Sequence, residues 1–374
     1  MNRDTKLLGF SIEDNGLGEK ITETTSFSDL RPTGFKDIAT FIETRNYAKH
    51  KRHFQKWLVI WGIDTAAGFC DITHCLGIND TLWVKETDSS LMWDDVNLYK
   101  NEFSDVAQTT AFESGLYGLQ LSSTDIMSPE FTSEGTCPKC WKRENNEIFL
   151  YKAGFTGASN VGLEPYSEYI ASSIVEQMIN DSITYDLSMF KKKLCSKCRL
   201  FTTEEYGYVP FYKFIDSSRK YTLSDILDIC ESFGFREECE KMLFTDSIVF
   251  NQDRHLGNFG FMVDNESFEI KSFAPLFDYN CSFLCNAMDT DLNNFEEYEK
   301  KFMLGHKLGG RFSDVGKALS NNRLISLIPG EIKIPVHEKY NLPSARLTKI
   351  MDIFENNLMI ITKRKINYSL VPKH

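Results

Sequence analysis

The stretch NQDRHLGNFGFMVDNESFEIKSFAPLFD, Asn251 to Asp278, constrains the fold of this 374-residue chain more than any other. Asp253, Arg254, His255 and Asn258 fall within six positions, directly before the apolar run Phe259–Val263. That run reads as a strand, Asp264–Ser267 as a turn, and Phe268–Asp278 as the chain coming back. A hairpin returns its end to its beginning. Asp278 is therefore expected close to Asn258, which brings a carboxylate and an amide oxygen together. Hard oxygen donors of this kind suit magnesium, which commonly fills its remaining positions with water and phosphate oxygens.

Asp253 and Asn258 stand five residues apart, the interval found in the catalytic loop of protein kinases. There the Asp orients the attacking hydroxyl and the Asn holds a metal that bridges the phosphates. Each residue also has a plain structural reading, as a cap, a turn residue or a loop residue. The upstream order weighs against three coincidences. A small polar loop, Ser128–Trp141, precedes a hairpin over Cys140–Lys152 with Glu144, Asn145 and Asn146 at its turn. The second strand ends in Lys152, and Glu164–Ile179 reads as a helix with Pro165 in its first turn and Glu168 near its start. A strand lysine steered by a helix glutamate is how kinases hold nucleotide phosphates.

The remainder supports a two-part α+β chain. At 42% hydrophobic residues it can bury a large core, and its length exceeds the usual single domain. Phe35–Ile63 is expected to form one or two helices, Thr81–Glu86 a strand, and Trp93–Glu113 a segment ending in a helix. Glu204–Ile215 is expected to be a strand with an extended connection. Helices are expected from Thr222 to Phe235, with Thr222 or Ser224 as cap, and from Arg236 to Phe250. The composition thus shifts from strand-rich to helix-rich near residue 215. A net charge of −11 argues against a broad nucleic-acid footprint. The basic run Lys191–Arg199 reads as a solvated turn and strand. With no signal-like or membrane-spanning apolar run, a cytoplasmic location is expected. Ten cysteines then read as mostly free thiols. Cys137 and Cys140, with Cys195 and Cys198, form two C-x-x-C units. Structural zinc is one reading of them, and free cysteines on strands are the favoured one.

The segment NQDRHLGNFG, the aspartate of PLFD, Lys152 and Glu168 together resemble the HipA-like serine/threonine kinases, relatives of protein kinases and phosphoinositide kinases. The Asp-Arg-His order is the shared feature, and the likeness is strongest from Ser128 to Ser282. It implies a two-lobed kinase-like fold with a strand-rich N-lobe and a helical C-lobe. Residues 1–120 would be an added N-terminal segment, 121–215 the N-lobe and 216–374 the C-lobe. It implies ATP and Mg²⁺ as cosubstrate and cofactor, with Asp253 as catalytic base and Asn258 and Asp278 as metal ligands. Lys152, supported by Glu168, would contact ATP phosphates. Gly135 and Lys139 match a Gly-x-x-Pro-Lys segment of the phosphate-binding loop, and the backbone near Val209 and Phe211 would receive adenine. Arg254 and His255 are expected to brace the loop. Autophosphorylation of that phosphate-binding loop would fall on Ser133 or Thr132, with Ser128 and Thr136 less favoured. The family also implies a protein substrate such as translation machinery and an antitoxin partner, with no membrane or direct nucleic-acid contact expected. A phosphoinositide or small-molecule kinase, and a nucleotide-binding pseudokinase acting as an interaction module, are the competing readings. The sequence departs from the Gly-x-Gly-x-x-Gly loop of protein kinases, and Tyr279 and Asn280 follow Asp278 where those kinases have Phe-Gly.

Overall fold

The computed structural model describes residues 1–16, 18–47, 58–59, 62–113, 128–133, 137–158 and 161–373. In chain order its first elements are β1 (Leu8–Asp14), β2 (Glu19–Ser26), α1 (Ile38–Arg45), α2 (Ala66–Thr73), α3 (Trp93–Val96) and α4 (Asp105–Glu113). Then come β3 (Lys139–Glu144), β4 (Glu147–Ala153), α5 (Glu164–Glu176), β5 (Asp186–Phe190), β6 (Lys193–Arg199) and β7 (Tyr206–Pro210). The next are α6 (Leu223–Ser232), α7 (Arg236–Val249), β8 (Gly260–Asp264), β9 (Ile270–Phe273), α8 (Asp289–Asn293) and α9 (Phe295–Lys301). The last are α10 (Phe312–Leu319), α11 (Asn322–Ile325), β10 (Glu331–His337), α12 (Ser344–Thr362) and β11 (Asn367–Lys373). Two compact units result. One comprises Met1–Lys152, Leu200–Val209 and Phe261–Ser272, and the other Ala153–Arg199, Pro210–Gly260 and Phe273–His374.

In the first unit, β1 and β2 form an antiparallel hairpin, and helix α1 opens on Asp37, whose carboxylate accepts the Thr40 N–H at 2.7 Å. Ile38, Ile42, Phe69, Val84 and Phe131 share one apolar cluster, and Trp83, Trp93, Leu98 and Ile148 another. The β3–β4 hairpin turns at Asn145 and Asn146, both at positive φ (49° and 67°), a geometry that matches strand twist and that Asn tolerates. Strand order in the other sheet of this unit is β7-β8-β9.

One expectation changes here. Thr81–Glu86 is not a strand. It makes one isolated bridge, Leu82 to Asn2, and its next two N–H groups go to different places, Trp83 to the Met1 carbonyl and Val84 to the His74 carbonyl. Backbone groups divided between two segments cannot build a ladder. Trp93–Glu113 ends in a helix as expected, α4, and a short helix α3 precedes it, separated because Asn97 leaves helical geometry (ψ 141°) and its side chain accepts the Lys100 N–H instead. Within Phe35–Ile63, helix α1 is present, and residues 48–57, 60 and 61 lie outside the described residues.

In the second unit, β5 and β6 form an antiparallel hairpin turning at Lys191 and Lys192, again at positive φ. Helix α6 begins with a reciprocal cap: Thr222 Oγ1 accepts the Asp225 N–H at 3.2 Å, and the Asp225 carboxylate accepts the Thr222 N–H at 2.7 Å. Helix α7 buries Met242–Val249 and stops where Phe250 turns left-handed at φ 56°. Helix α12 supplies buried Phe354, Leu358 and Ile361, and its Asn357 amide donates to the Ser247 carbonyl of α7 at 2.9 Å. Among the described residues no helix is long and apolar enough to cross a membrane. None of the ten cysteines is in a disulfide, and Cys140, Cys195 and Cys198 are buried while Cys137 is half-buried. Among the described residues no group of three or more His, Cys, Asp or Glu side chains is placed to hold a metal ion.

Candidate active site

The second unit gathers the loop between α7 and β8 around one buried cation. Arg254 is wholly buried. Its Nε donates to Asp246 Oδ2 at 2.8 Å and its Nη2 to Asp246 Oδ1 at 3.0 Å, a bidentate pair inside the protein. Its Nη1 donates to the carbonyl of Asn258 at 2.7 Å and to the carbonyl of Phe277, the residue before Asp278. The guanidinium also lies over the Tyr279 ring, 5.1 Å from its centre. Burial alone would drive the proton off, but the charge and hydrogen bonds of Asp246 hold it more tightly than on an ordinary arginine. One side chain therefore clamps the backbone beside both proposed metal ligands.

The hairpin supplies the rest of that approach. At the turn the Asp264 N–H donates to the Glu269 carbonyl at 3.0 Å, and at the open end the Ala274 N–H donates to the Gly260 carbonyl at 2.9 Å. The chain thus returns as the apolar run and the turn after it implied. Asp278 occupies the left-handed region at φ 62°, which is costly for a residue with a Cβ. It is held from both sides. Its N–H donates to the Tyr185 hydroxyl at 3.2 Å, and its carbonyl accepts from Asn251 Nδ2 at 3.3 Å. Burial, reinforced by the negative groups nearby, keeps the Tyr185 hydroxyl protonated far above the ordinary tyrosine range.

Within the loop, the Asp253 carbonyl accepts the His255 N–H at 2.7 Å and the Asn258 amide nitrogen at 3.1 Å. With its nitrogen spent there, the Asn258 amide offers oxygen, the donor atom magnesium takes. Asn258 and Asp278 together are a hard-oxygen pair that fits that ion. His255 Nδ1 accepts the Gly257 N–H at 3.0 Å, and the His255 carbonyl accepts the Asn258 N–H at 2.9 Å. The Asp253 carboxylate itself is partly exposed, 3.6 Å from Lys307 Nζ. Glu168 is fully buried on α5, where its carboxylate accepts the Ser196 hydroxyl at 2.5 Å.

Other expected site residues fall in the first unit. Lys152 is buried on β4 and is the register partner of Lys139 on β3, so two lysines share one face of the hairpin. Val209 lies on β7, its side chain packed with Leu7, Leu82, Val263 and Phe268. Ser133 Oγ donates to the Pro129 carbonyl at 2.7 Å and accepts from Trp141 Nε1 at 3.0 Å, while Thr132 Oγ1 donates to the Leu76 carbonyl at 3.0 Å. Ser128 is buried against Glu130. Gly135 and Thr136 lie outside the described residues. Phe211, in the second unit, is buried and stacked on Phe259 at 4.7 Å. Its N–H donates to the Phe259 carbonyl and that of Tyr212 to the Leu256 carbonyl, so neither N–H is open to adenine.

Sequence reasoning did not single out Asp246, Tyr185 or Lys307. Asp246 did leave a trace, as a lone carboxylate inside the apolar run LFTDSIVF. A charge in such a run is buried with a partner or not tolerated.

No protein-family model matches the chain. It is 32% identical over 154 residues to the serine/threonine-protein kinase CtkA of Helicobacter pylori (strain J99), a match covering 36% of this chain and 46% of CtkA. The chain thus spans about half the length of that curated relative. The crystal structure of the Helicobacter pylori proinflammatory kinase CtkA superposes with a TM-score of 0.46 at 20% identity, over 61% of this chain and 90% of that one. HipA of Shewanella oneidensis, solved with HipB and operator DNA, superposes with a TM-score of 0.53 at 10% identity over 96% of both chains. The chain thus shares the fold of HipA, and over the matched segment it is similar in sequence to the serine/threonine-protein kinase CtkA.

Proposed function

We propose that the chain is an ATP- and Mg²⁺-dependent serine/threonine protein kinase. The observation that carries this reading is the Arg254 clamp, which ties the carbonyl of Asn258 and the carbonyl preceding Asp278 to one buried guanidinium. It gives a reason for the Asp253-to-Asn258 interval that separate caps and turns do not. In this reading Asp253 orients the acceptor hydroxyl and takes its proton. Asn258 and Asp278 hold magnesium, which neutralises phosphate charge. Lys152 and Lys139 bind phosphate oxygens, and Glu168 supports Lys152. Adenine is received by the backbone at Val209 and by carbonyls near Phe211. Arg254 and His255 are braces that touch no substrate.

The test is incubation of the full chain with radiolabelled ATP and Mg²⁺, alone and with protein substrates, beside Asp253→Ala. Transfer to serine or threonine should fall by at least about 10³-fold in the variant. Equal signal in both proteins sinks the reading, and label found only on lipid or a small molecule selects the competing kinase class. Mass spectrometry of the same reaction asks whether phosphate appears on Ser133 or Thr132, whose hydroxyls must first give up the hydrogen bonds described above. An antitoxin partner is proposed from the HipA likeness alone, since that relative was solved with HipB.

A further inference from the structure

The loop from Asp253 to Asn258 lacks a cation that can reach a substrate. Arg254 is its only permanent positive charge, and that guanidinium is buried and committed to Asp246, Asn258 and Phe277. The missing charge arrives from another turn. Lys307 Nζ lies 3.6 Å from Asp253 Oδ1, and both side chains are solvent-accessible, 59% and 37% exposed.

The turn that carries Lys307 is tightly built. Gly305 bridges Arg311, the His306 N–H donates to the Gly310 carbonyl at 2.9 Å, and the Gly309 N–H donates to the His306 carbonyl at 2.9 Å. Gly309 and Gly310 sit at φ 109° and 85°. A Cβ on Gly305 would lie 2.3 Å from the Gly310 oxygen, so only glycine fits there. His306, next to Lys307, is buried, with Nε2 2.8 Å from Ser247 Oγ and its ring 4.7 Å from that of Phe312. Ser247 follows Asp246, the carboxylate that holds Arg254. Helix α7 therefore anchors the Asp253 loop and the Lys307 turn through adjacent residues. An exposed ion pair contributes little to stability, so the Lys307–Asp253 pair is no explanation for a turn this constrained.

We propose that Lys307 is a further catalytic residue, whose ammonium contacts the phosphoryl group as it passes from ATP to a hydroxyl oriented by Asp253. The proposal rests on the phosphoryl-transfer reading above. In that step the acceptor oxygen bonds to the γ-phosphorus. The bond from the γ-phosphorus to the bridging oxygen breaks, its electron pair leaving with ADP, and the hydroxyl proton passes to Asp253. Lys307 donates no proton. It sets a positive charge against the equatorial oxygens, where charge is concentrated during transfer. Without nucleotide the same ammonium rests on Asp253.

The experiment compares wild type, Lys307→Ala, Lys307→Arg and Asp253→Ala as full-length proteins. Lys307→Ala should lower kcat about 100-fold while KM for ATP stays within about threefold, and Lys307→Arg should restore most of the loss. A binding measurement needs no turnover: Lys307→Ala should weaken MgADP with fluoroaluminate, a mimic of the group in flight, at least about tenfold, and MgADP alone by less than about threefold. Unchanged kcat in Lys307→Ala, or equal weakening of both ligands, overturns the role of Lys307 and leaves the kinase reading standing. A wild type no more active than Asp253→Ala overturns both. Thermal melting serves as the folding control, and Lys307→Gln replaces the alanine variant if that variant melts early.

Discussion

Two segments of this protein each hold a buried ionisable side chain, and they differ in the groups that stand beside it. In the second unit the Asp253–Asn258 loop wraps Arg254, and an opposite charge, Asp246, meets its Nε–Nη2 edge. In the first unit the Ser128–Ser133 segment wraps Glu130, which accepts the Trp141 N–H at 2.7 Å and the Ser128 hydroxyl. The first arrangement uses a bidentate ion pair and ties two distant stretches of backbone. The second includes neutral hydroxyls, groups that chemistry can modify. The difference teaches which loop can be a fixed platform and which can change state. A paired internal charge locks its neighbours, whereas hydroxyls such as those of Ser128, Thr132 and Ser133 can exchange partners at modest cost.

The comparison breaks most easily at Arg254. Arg254→Met should cost about 3–5 kcal/mol, because Asp246 is left charged and buried without its partner. Urea unfolding measures it, and the double variant with Asp246→Leu should recover a good part of the loss. A cost below about 1 kcal/mol would mean that the clamp does not hold the loop.

His306 tests the same frame through pH. Burial, with Arg254 nearby and against the opposing pull of Asp246, lowers its pKa to about 4. The unfolded chain takes up this proton near the ordinary histidine pKa of about 6.5, and the folded chain only near 4. The contribution of His306 to stability is therefore full above about pH 6.5 and is lost as the pH falls toward 4, by about 3 kcal/mol. Unfolding curves of wild type and His306→Gln across that range should differ by this slope. Parallel curves would show that the imidazole is already charged in the fold.

The smallest effect is expected in the first unit. Ser133→Ala removes hydrogen bonds to Trp141 Nε1 and the Pro129 carbonyl, and should cost about 1 kcal/mol in the same urea assay. A loss as large as that of Arg254→Met would erase the distinction between platform and modifiable segment.

Much of the local structure was legible in the chain itself. The hairpins over Lys139–Ala153 and Gly260–Phe273, the helix at Glu164–Glu176 and the cap at Thr222 follow from period, turn residues and side-chain reach, which act over a few residues. The same local reasoning brings the chain at Asp278 back toward Asn258. It failed for Thr81–Glu86, where β-prone residues find no strand to pair with, since pairing depends on distant segments.

The sequence by itself determined where polar, oxygen-bearing residues stand relative to strands and turns, because that is set by neighbours along the chain. Only the tertiary structure decided what surrounds them. Asp246 eight residues before Arg254, Tyr185 far upstream of Asp278, and Lys307 far downstream of Asp253 reach their partners across turns whose closure no local pattern encodes. Burial then decides what each charge does. The Arg254 guanidinium, cut off from water and met by a carboxylate, becomes a clamp, while the Lys307 ammonium, left in solvent beside Asp253, keeps its freedom to move.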